Sequence, residues 1–140
     1  MNGGDRPGLA ARQAALIEAL VAGGPYPDGL DTARLDATRR ALLRKRAGRV
    51  ARAWPLLAAA HGTDWTRVFH ARFDGVAPTD PVREGWDLAR ELRAAGTLPA
   101  AAASELAGRE AAMRYDGRSA PRRRSRPAAA LRRLLERSRG

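Results

Sequence analysis

Apolar residues recur along this chain at steps of three and four, the spacing that places them on one face of an α-helix. No segment alternates apolar and polar residues with the period of two that is typical of a half-buried strand. The pattern predicts an all-α protein, with a single compact bundle of about five to six helices and a disordered basic C-terminal tail. In the first helix, predicted over residues 8–22, the apolar stripe consists of Leu9, Leu16, Ile17, Leu20 and Val21.

Prolines, glycines and capping residues separate the later helices from one another. A second helix is predicted from Asp31 or Thr32, which can cap its first turn, to Trp54, because Pro55 disfavours helical geometry in the residue before it. Pro55 also suits the first turn of a short helix that Gly62 closes. Three more helices are expected, one following Thr63 through residue 73, one over residues 81–95, and one from about residue 98 to about residue 115.

Composition divides the chain into three parts: a flexible N-terminus (residues 1–7), a helical domain (residues 8–117) and an arginine-rich tail (residues 118–140). Residues 119–127 contain arginine and proline without an apolar anchor, which predicts disorder in isolation. Residues 128–137 can form a short amphipathic helix that is too short to be stable alone. Its apolar side would consist of Leu131, Leu134 and Leu135.

Positive charge is concentrated in two segments. The chain has 26 Lys and Arg residues against 15 Asp and Glu residues, a net charge of +11. Residues 39–52 contain seven bases and no acid, residues 118–140 contain nine arginines and one acid, and the remainder has a net charge of −4. This arrangement indicates binding to a polyanion or to an acidic partner. The candidate binding residues are Arg39, Arg40, Arg44, Lys45, Arg46, Arg49 and Arg52 in the helix, and Arg122, Arg123, Arg124 and Arg126 in the tail.

Arg39 and Arg46 differ from their neighbours because helical geometry projects them onto the apolar face of the second helix. A buried arginine needs a partner. One interpretation is that each reaches the edge of the core or pairs with a carboxylate such as Asp36, Asp64 or Asp87. The alternative is a cationic groove beside the core that binds a carboxylate or phosphate. Four other bases fall outside the apolar face and are expected to be solvated: Arg40, Arg44, Lys45 and Arg52.

The sequence offers little support for catalysis or for a bound cofactor. It has no cysteine, no glycine-rich phosphate loop, no nucleophile elbow and no paired-carboxylate motif. His61 and His70 have no third ligand at a recognisable spacing, so no metal site is expected. We therefore expect a protein that is not an enzyme and that carries no cofactor. No apolar run has the length of a signal peptide or a membrane span, and a cytoplasmic protein is expected.

Three short stretches resemble a known helical family. They are Arg-Arg-Ala-Leu-Leu at residues 39–43, Ala-Trp-Pro-Leu-Leu at residues 53–57, and His-Gly-Thr-Asp-Trp at residues 61–65. Their order is similar to that in the small helical accessory proteins of multinuclear non-haem iron-dependent oxidases, which modify ribosomally made peptides. The helical domain of that family is commonly labelled as DNA-binding. The resemblance implies a bacterial, non-catalytic accessory protein whose partner oxidase supplies the metal ligands.

The chain also differs from that family in two respects. The family's Tyr-Arg-Asn-Asn-type stretch is replaced by other residues around positions 43–46. The family's second domain captures a leader peptide on a strand edge, and no strand is predicted here.

Three functions remain open at this point. The first is docking onto an iron-dependent oxidase, an acidic peptide or both through the basic helix. The second is nonspecific DNA or RNA binding through the basic helix and the tail, since the helix lacks the Asn, Gln and Ser pattern that reads base edges. The third is folding of the tail on an anionic membrane or partner surface.

Overall fold

The computed structural model describes residues 8–139, without the side chains of residues 126–129. The predicted flexible N-terminus, residues 1–7, lies outside the described residues. The all-α class is confirmed, because helices account for most of the chain. The helices are α1 (Leu9–Val21), α2 (Thr32–Ala53), α3 (Pro55–His61), α4 (Trp65–Phe73), α5 (Pro81–Ala94), α6 (Ala100–Ala112) and α7 (Arg126–Arg137), with one 3₁₀ turn at Gly62–Asp64.

The capping residues and prolines identified in the sequence set the observed helix ends. Asp31 Oδ1 accepts a hydrogen bond from the Arg34 N–H at 3.2 Å, so that Asp31 caps α2. Asp80 Oδ1 accepts one from the Arg83 N–H at 3.0 Å at the start of α5. Pro55 begins α3, where its missing N–H is not needed. For α2 and α5 the capping contact is therefore local.

The end of α6 corrects the predicted structure. Helix was expected to about residue 115, but α6 ends at Ala112 and Met113 is extended, with φ −134° and ψ 154°. Met113–Arg114 forms a strand, β1, which pairs antiparallel with Arg122–Arg123, strand β2. The prediction that the chain contains no strand was therefore wrong. A two-residue ladder is too short to produce a period-two pattern that sequence analysis can detect.

The connection between the two strands is organised by one carboxylate. Asp116 Oδ1 accepts hydrogen bonds from the backbone N–H groups of Arg118 and Ser119, each at 2.8 Å. These backbone hydrogen bonds lower the pKa of Asp116 to about 2. Residues 119–127 were predicted to be disordered in isolation, and within them the structure places β2 against β1. The predicted amphipathic helix that follows is present as α7.

The sequence predicted one domain over residues 8–117, and the described residues group into two compact units. The first unit contains the residues up to Ala47 together with Thr66–Pro78. The second contains Gly48–Trp65 and the residues from Thr79 onward. The boundary falls inside α2, so helix continuity does not mark it. In the part of the chain that the structure describes, no helix has the length and apolar content needed to cross a bilayer.

In the first unit, the turn after α1 lies directly against the turn after α4. A Cβ atom added to Gly23 would lie 2.7 Å from the Cα atom of Gly75. Both glycines have positive φ, +75° and +76°, a conformation that a side chain disfavours. The close approach of the two turns therefore requires glycine at position 23, and the positive φ favours glycine at position 75. The buried apolar residues of this unit are Ala19, Leu43, Ala47, Phe69 and Phe73.

In the second unit, the core is arranged around Trp54. Its indole is fully buried, meets the ring of Trp86 edge-on at 5.8 Å, and donates from Nε1 to the Val82 carbonyl at 3.0 Å. Gly85 of α5 allows this approach, because a Cβ atom there would lie 2.1 Å from Trp54 Cδ1. Trp54 was expected in the core from its spacing, and so were Trp65, Phe69, Phe73 and Trp86; all five are buried.

Replacing Gly85 with alanine should test this packing. The added methyl group must displace a fully buried indole, and we expect the free energy of unfolding to fall by about 1–3 kcal/mol. Gly108 of α6 is the matched control, since a Cβ atom there meets nothing within 4 Å. Gly108→Ala should raise the free energy of unfolding by about 0.5–1 kcal/mol. Chemical denaturation of both variants measures the difference, and equal effects would contradict the packing described.

Candidate functional site

The basic helix α2 carries two kinds of charged residue. Arg39 and Arg46 are half-buried. The other five candidate bases are exposed: Arg40, Arg44, Lys45, Arg49 and Arg52. Exposure was expected for all of these except Arg49. Only this second group presents its charge directly to solvent and to a partner.

Arg39 is held by contacts within the first unit. Its Nε atom donates to Asp74 Oδ1 at 2.8 Å, and its guanidinium lies over the contact between Gly23 and Gly75. Partial burial opposes the charge, but hydrogen bonds to Tyr26 and Asp74 outweigh burial and raise the pKa of Arg39. The carboxylate partner is therefore Asp74, which was not among the three suggested by the sequence.

Arg46 is held by the end of α4 and the turn that follows it. Its guanidinium lies 5.1 Å from the centre of the Phe73 ring and 5.8 Å from that of Phe69. Its Nη1 atom donates to the Val76 carbonyl at 2.8 Å. A guanidinium suits this position because its flat face stacks on an aromatic ring while its edge donates hydrogen bonds. Arg39 and Arg46 thus both attach residues 74–76 to α2.

The tail arginines also divide into exposed and bound side chains. Arg122 and Arg123 are exposed on β2. Arg124 is half-buried, and its Nε atom donates to the Glu110 carbonyl oxygen at 2.8 Å. Arg126 begins α7, and its side chain is outside the described part of the structure.

Sequence analysis did not identify an apolar groove beside α1. Leu9 and Ile17, two residues of the apolar stripe predicted for α1, are 66% and 60% exposed. A groove of about 340 Å³ runs between α1 and the loop that follows it. The signal was present as an apolar stripe, but periodicity does not reveal whether a stripe is covered. The groove is lined by Leu9, Arg12, Gln13, Leu16, Pro27, Asp28 and Leu30.

A buried carboxylate in the second unit was also missed. Glu110 of α6 accepts hydrogen bonds from Arg90 Nε at 3.2 Å and from Arg93 Nη1 at 3.0 Å. Burial opposes ionisation of Glu110, but the two arginines outweigh it and lower the pKa of this carboxyl group. Two arginines and one acid at separate points of the sequence give no local motif.

Among the remaining polar groups that could suggest chemistry, Glu105 and His61 have structural partners, whereas His70 Nε2 is buried without a hydrogen-bond partner among the described residues. Glu105 accepts hydrogen bonds from the N–H groups of Leu56 and Leu57 at 3.1 and 2.8 Å, which caps α3. His61 Nδ1 lies 2.8 Å from the Leu57 carbonyl oxygen. Burial lowers the pKa of His70, which favours its neutral form. Within residues 8–139, no group of three or more His, Cys, Asp or Glu side chains is arranged to hold a metal ion.

Comparison with known proteins identifies the family. Residues 10–94 match the family described as SCO6045-like, C-terminal domain, which is more than half of the chain. The chain belongs to this family. The matched residues of this SCO6045-like domain include α1 to α5, apart from Leu9 at the start of α1, and therefore the basic helix and the other residues that line the groove. They exclude α6, the β1–β2 ladder and α7.

One relative extends the comparison to a longer protein. A UPF0276 protein from Streptomyces avermitilis is 40% identical over 96 residues, which is 65% of this chain. The same alignment is 19% of the relative, so the chain spans about a fifth of that relative's length. No solved structure matches the chain.

The contacts of Arg46 can be tested by substitution. Arg46→Met removes the hydrogen bond to Val76 and the charge over Phe73, and we expect the free energy of unfolding to fall by about 1–2 kcal/mol. Arg44→Met, at an exposed position of the same helix, should change it by less than about 0.5 kcal/mol. Thermal and chemical unfolding measure both. If Arg46→Met is as stable as the Arg44 control, Arg46 does not hold the α4 turn.

The Glu110 cluster predicts a specific response to acid. A carboxyl group whose pKa is lower in the folded than in the unfolded state stabilises the fold above the unfolded value, near 4.5, and loses that contribution as pH falls through the folded value. Glu110→Gln should remove this part of the pH dependence and reduce stability at pH 7 by about 1–3 kcal/mol. Asp28→Asn, at an exposed acid, should retain the acid response. The free energy of unfolding of both variants is measured between neutral and acidic pH. Identical pH profiles for Glu110→Gln and Asp28→Asn would contradict the conclusion that Glu110 causes this acid response.

Proposed function

We propose that the chain is a non-catalytic accessory protein that docks onto a larger protein, and that this larger protein is an iron-dependent peptide-modifying oxidase. The observation that carries the proposal is the architecture of the Streptomyces relative. There the matched segment occupies 19% of the chain, so four-fifths of that protein lies outside it. Covalent linkage keeps the two parts at high local concentration, which favours contact between them. The oxidase class is taken from the resemblance of residues 39–43, 53–57 and 61–65 to the helical accessory proteins of multinuclear non-haem iron-dependent oxidases.

The α1 groove is the surface best suited to docking. Leu9 and Leu30 line the groove and are large apolar residues left in contact with water, and full burial of such a side chain contributes about 1.5–3 kcal/mol. Arg12 and Asp28 at the groove offer polar contacts at its rim. Apart from Leu9, the residues that line the groove lie within the segment matched by the family, which fits a function shared by its members.

The exposed bases of α2 supply a second element of the proposed interaction. Arg40, Arg44 and Lys45 extend into solvent from the first unit, and no acid occurs among residues 39–52. Exposed charges of one sign accelerate association with an oppositely charged surface and contribute less to final affinity. We therefore assign these residues to attraction of an acidic region of the oxidase or of its peptide substrate.

The non-catalytic part of the proposal is supported by two acids that make structural contacts, the buried Glu110 and the half-buried Glu105. Glu110 is bound to Arg90 and Arg93, and Glu105 caps α3. The oxygen atoms of these carboxylates already accept hydrogen bonds that stabilise the fold. Metal chemistry would then be supplied by the oxidase.

The experiment is a binding titration between the purified chain and an oxidase encoded beside it. Complex formation is expected in size-exclusion chromatography and calorimetry. The double variant Leu9→Gln/Leu30→Gln should weaken binding by about tenfold or more, because both side chains line the groove. The matched control is Leu131→Gln, an exposed leucine outside the family match, which should bind normally. Absence of a complex, or equal affinity of all three proteins, would reject the proposal.

Nonspecific DNA or RNA binding is the second candidate, favoured by the exposed bases on one helix. It predicts affinity for a short duplex of arbitrary sequence that falls steeply with salt. Replacing Arg40, Arg44 and Lys45 with glutamine should then reduce the salt dependence, whereas the groove variant should have no effect. Fluorescence anisotropy distinguishes this pattern from docking.

A further inference from the structure

Within the second unit, helix α7 turns its polar side toward α6. Arg132 Nη2 lies 3.8 Å from Glu110 Oε2 of α6. An open cavity of about 410 Å³ between the two helices is lined by Gly108 and Ala111 of α6 and by Arg133, Glu136 and Arg137 of α7. The side of α7 that carries arginine and glutamate is thus the side turned toward α6.

The apolar side of α7 is consequently exposed. Leu131, Leu134 and Leu135 are 60%, 59% and 55% exposed. Their spacing at i, i+3 and i+4 makes them one continuous face. A helix that packs on a protein normally buries its apolar stripe, and this one presents it to solvent. An exposed face of this kind indicates a binding surface.

The surrounding charge limits what the face can bind. Residues 118–140 contain nine arginines and one acid, so a second copy of α7 would bring like charge against it. Nucleic acid would pair with the arginines but would leave the leucines in water. An anionic lipid surface satisfies both, because leucines enter the boundary of the acyl chains while guanidinium groups contact lipid phosphates.

We propose that α7 attaches this chain to the surface of an anionic bilayer, lying in the interface. The leucine face forms a convex ridge, which a fluid lipid surface accommodates without a matching groove. A helix of this length is marginal in isolation, and the contacts with α6 hold it formed before it meets the membrane. The surface lies outside residues 10–94 and so does not depend on the docking function proposed for the α1 groove.

The test is co-sedimentation of the full chain with vesicles made of equal parts phosphatidylcholine and phosphatidylglycerol, at physiological salt. The chain should bind these vesicles and should bind vesicles of phosphatidylcholine alone at least about tenfold more weakly, since the electrostatic contribution is then lost. The triple variant Leu131→Ser/Leu134→Ser/Leu135→Ser should lose at least about tenfold in partitioning to the anionic vesicles. Its thermal unfolding should match the parent, because the three side chains are more than half exposed.

Two further variants complete the design. Leu134→Asp places a negative charge in the middle of the face and should abolish binding on its own, which keeps the test decisive if the triple variant does not fold. The groove variant Leu9→Gln/Leu30→Gln changes exposed leucines elsewhere and should bind vesicles as the parent does.

Three results would overturn the proposal. The first is no binding to anionic vesicles. The second is binding that persists in both the triple variant and Leu134→Asp, which would show adsorption by charge alone. The third is loss of oxidase binding in the leucine variants without vesicle binding by the parent, which would assign the face to an acidic protein surface.

Discussion

Three helices of the second unit depend on the space taken by the Trp54 indole at the end of α2. α3 begins at the next residue, α5 approaches through Gly85, and Arg109 of α6 stacks over the ring at 4.1 Å and donates to the Ala53 carbonyl. The indole N–H is satisfied by the Val82 carbonyl, so burial leaves no donor unpaired. One bulky side chain therefore determines where several elements can lie, and it does so beside a proline that forces the chain to change direction.

Much of the arginine in this chain is structural. Arg39 binds Asp74, Arg46 stacks on Phe73, Arg90 and Arg93 bind Glu110, and Arg109 covers Trp54. A guanidinium can stack on a ring and donate several hydrogen bonds at once, which a lysine ammonium cannot do. The chain has 25 arginines and one lysine, and this preference for arginine is consistent with these stacking and hydrogen-bonding roles. The number of arginines consequently overstates how many positive side chains are available to a partner.

The sequence predicted a structural feature well where the residues that cause the feature are close to it in the chain. Asp31, Asp80 and Pro55 act on their own neighbours, and the helices they begin were predicted within a few residues. The sequence was uninformative where the cause is a distant partner. Periodicity placed Arg39 on the apolar face but could not identify Asp74, which lies 35 residues away.

The same limit applies to the surfaces proposed for binding. The apolar stripes of α1 and α7 were both visible as patterns of leucine and isoleucine. A pattern shows that residues share a face, and only tertiary packing shows whether that face is covered. The exposure of Leu9 and Leu131 thus emerged from the structure alone. The exposed group among the α2 bases was predictable, since helical geometry directs Arg40 and Arg44 away from the core.

The β1–β2 ladder has a consequence for how the protein responds to ions. Its register places Arg114 directly opposite Arg122, and like charges facing each other across an antiparallel pair repel. Dissolved salt screens that repulsion and so strengthens the ladder. The same salt weakens any attraction between the exposed arginines and an anionic surface. Ionic strength therefore acts in opposite directions on the internal order of this segment and on its binding.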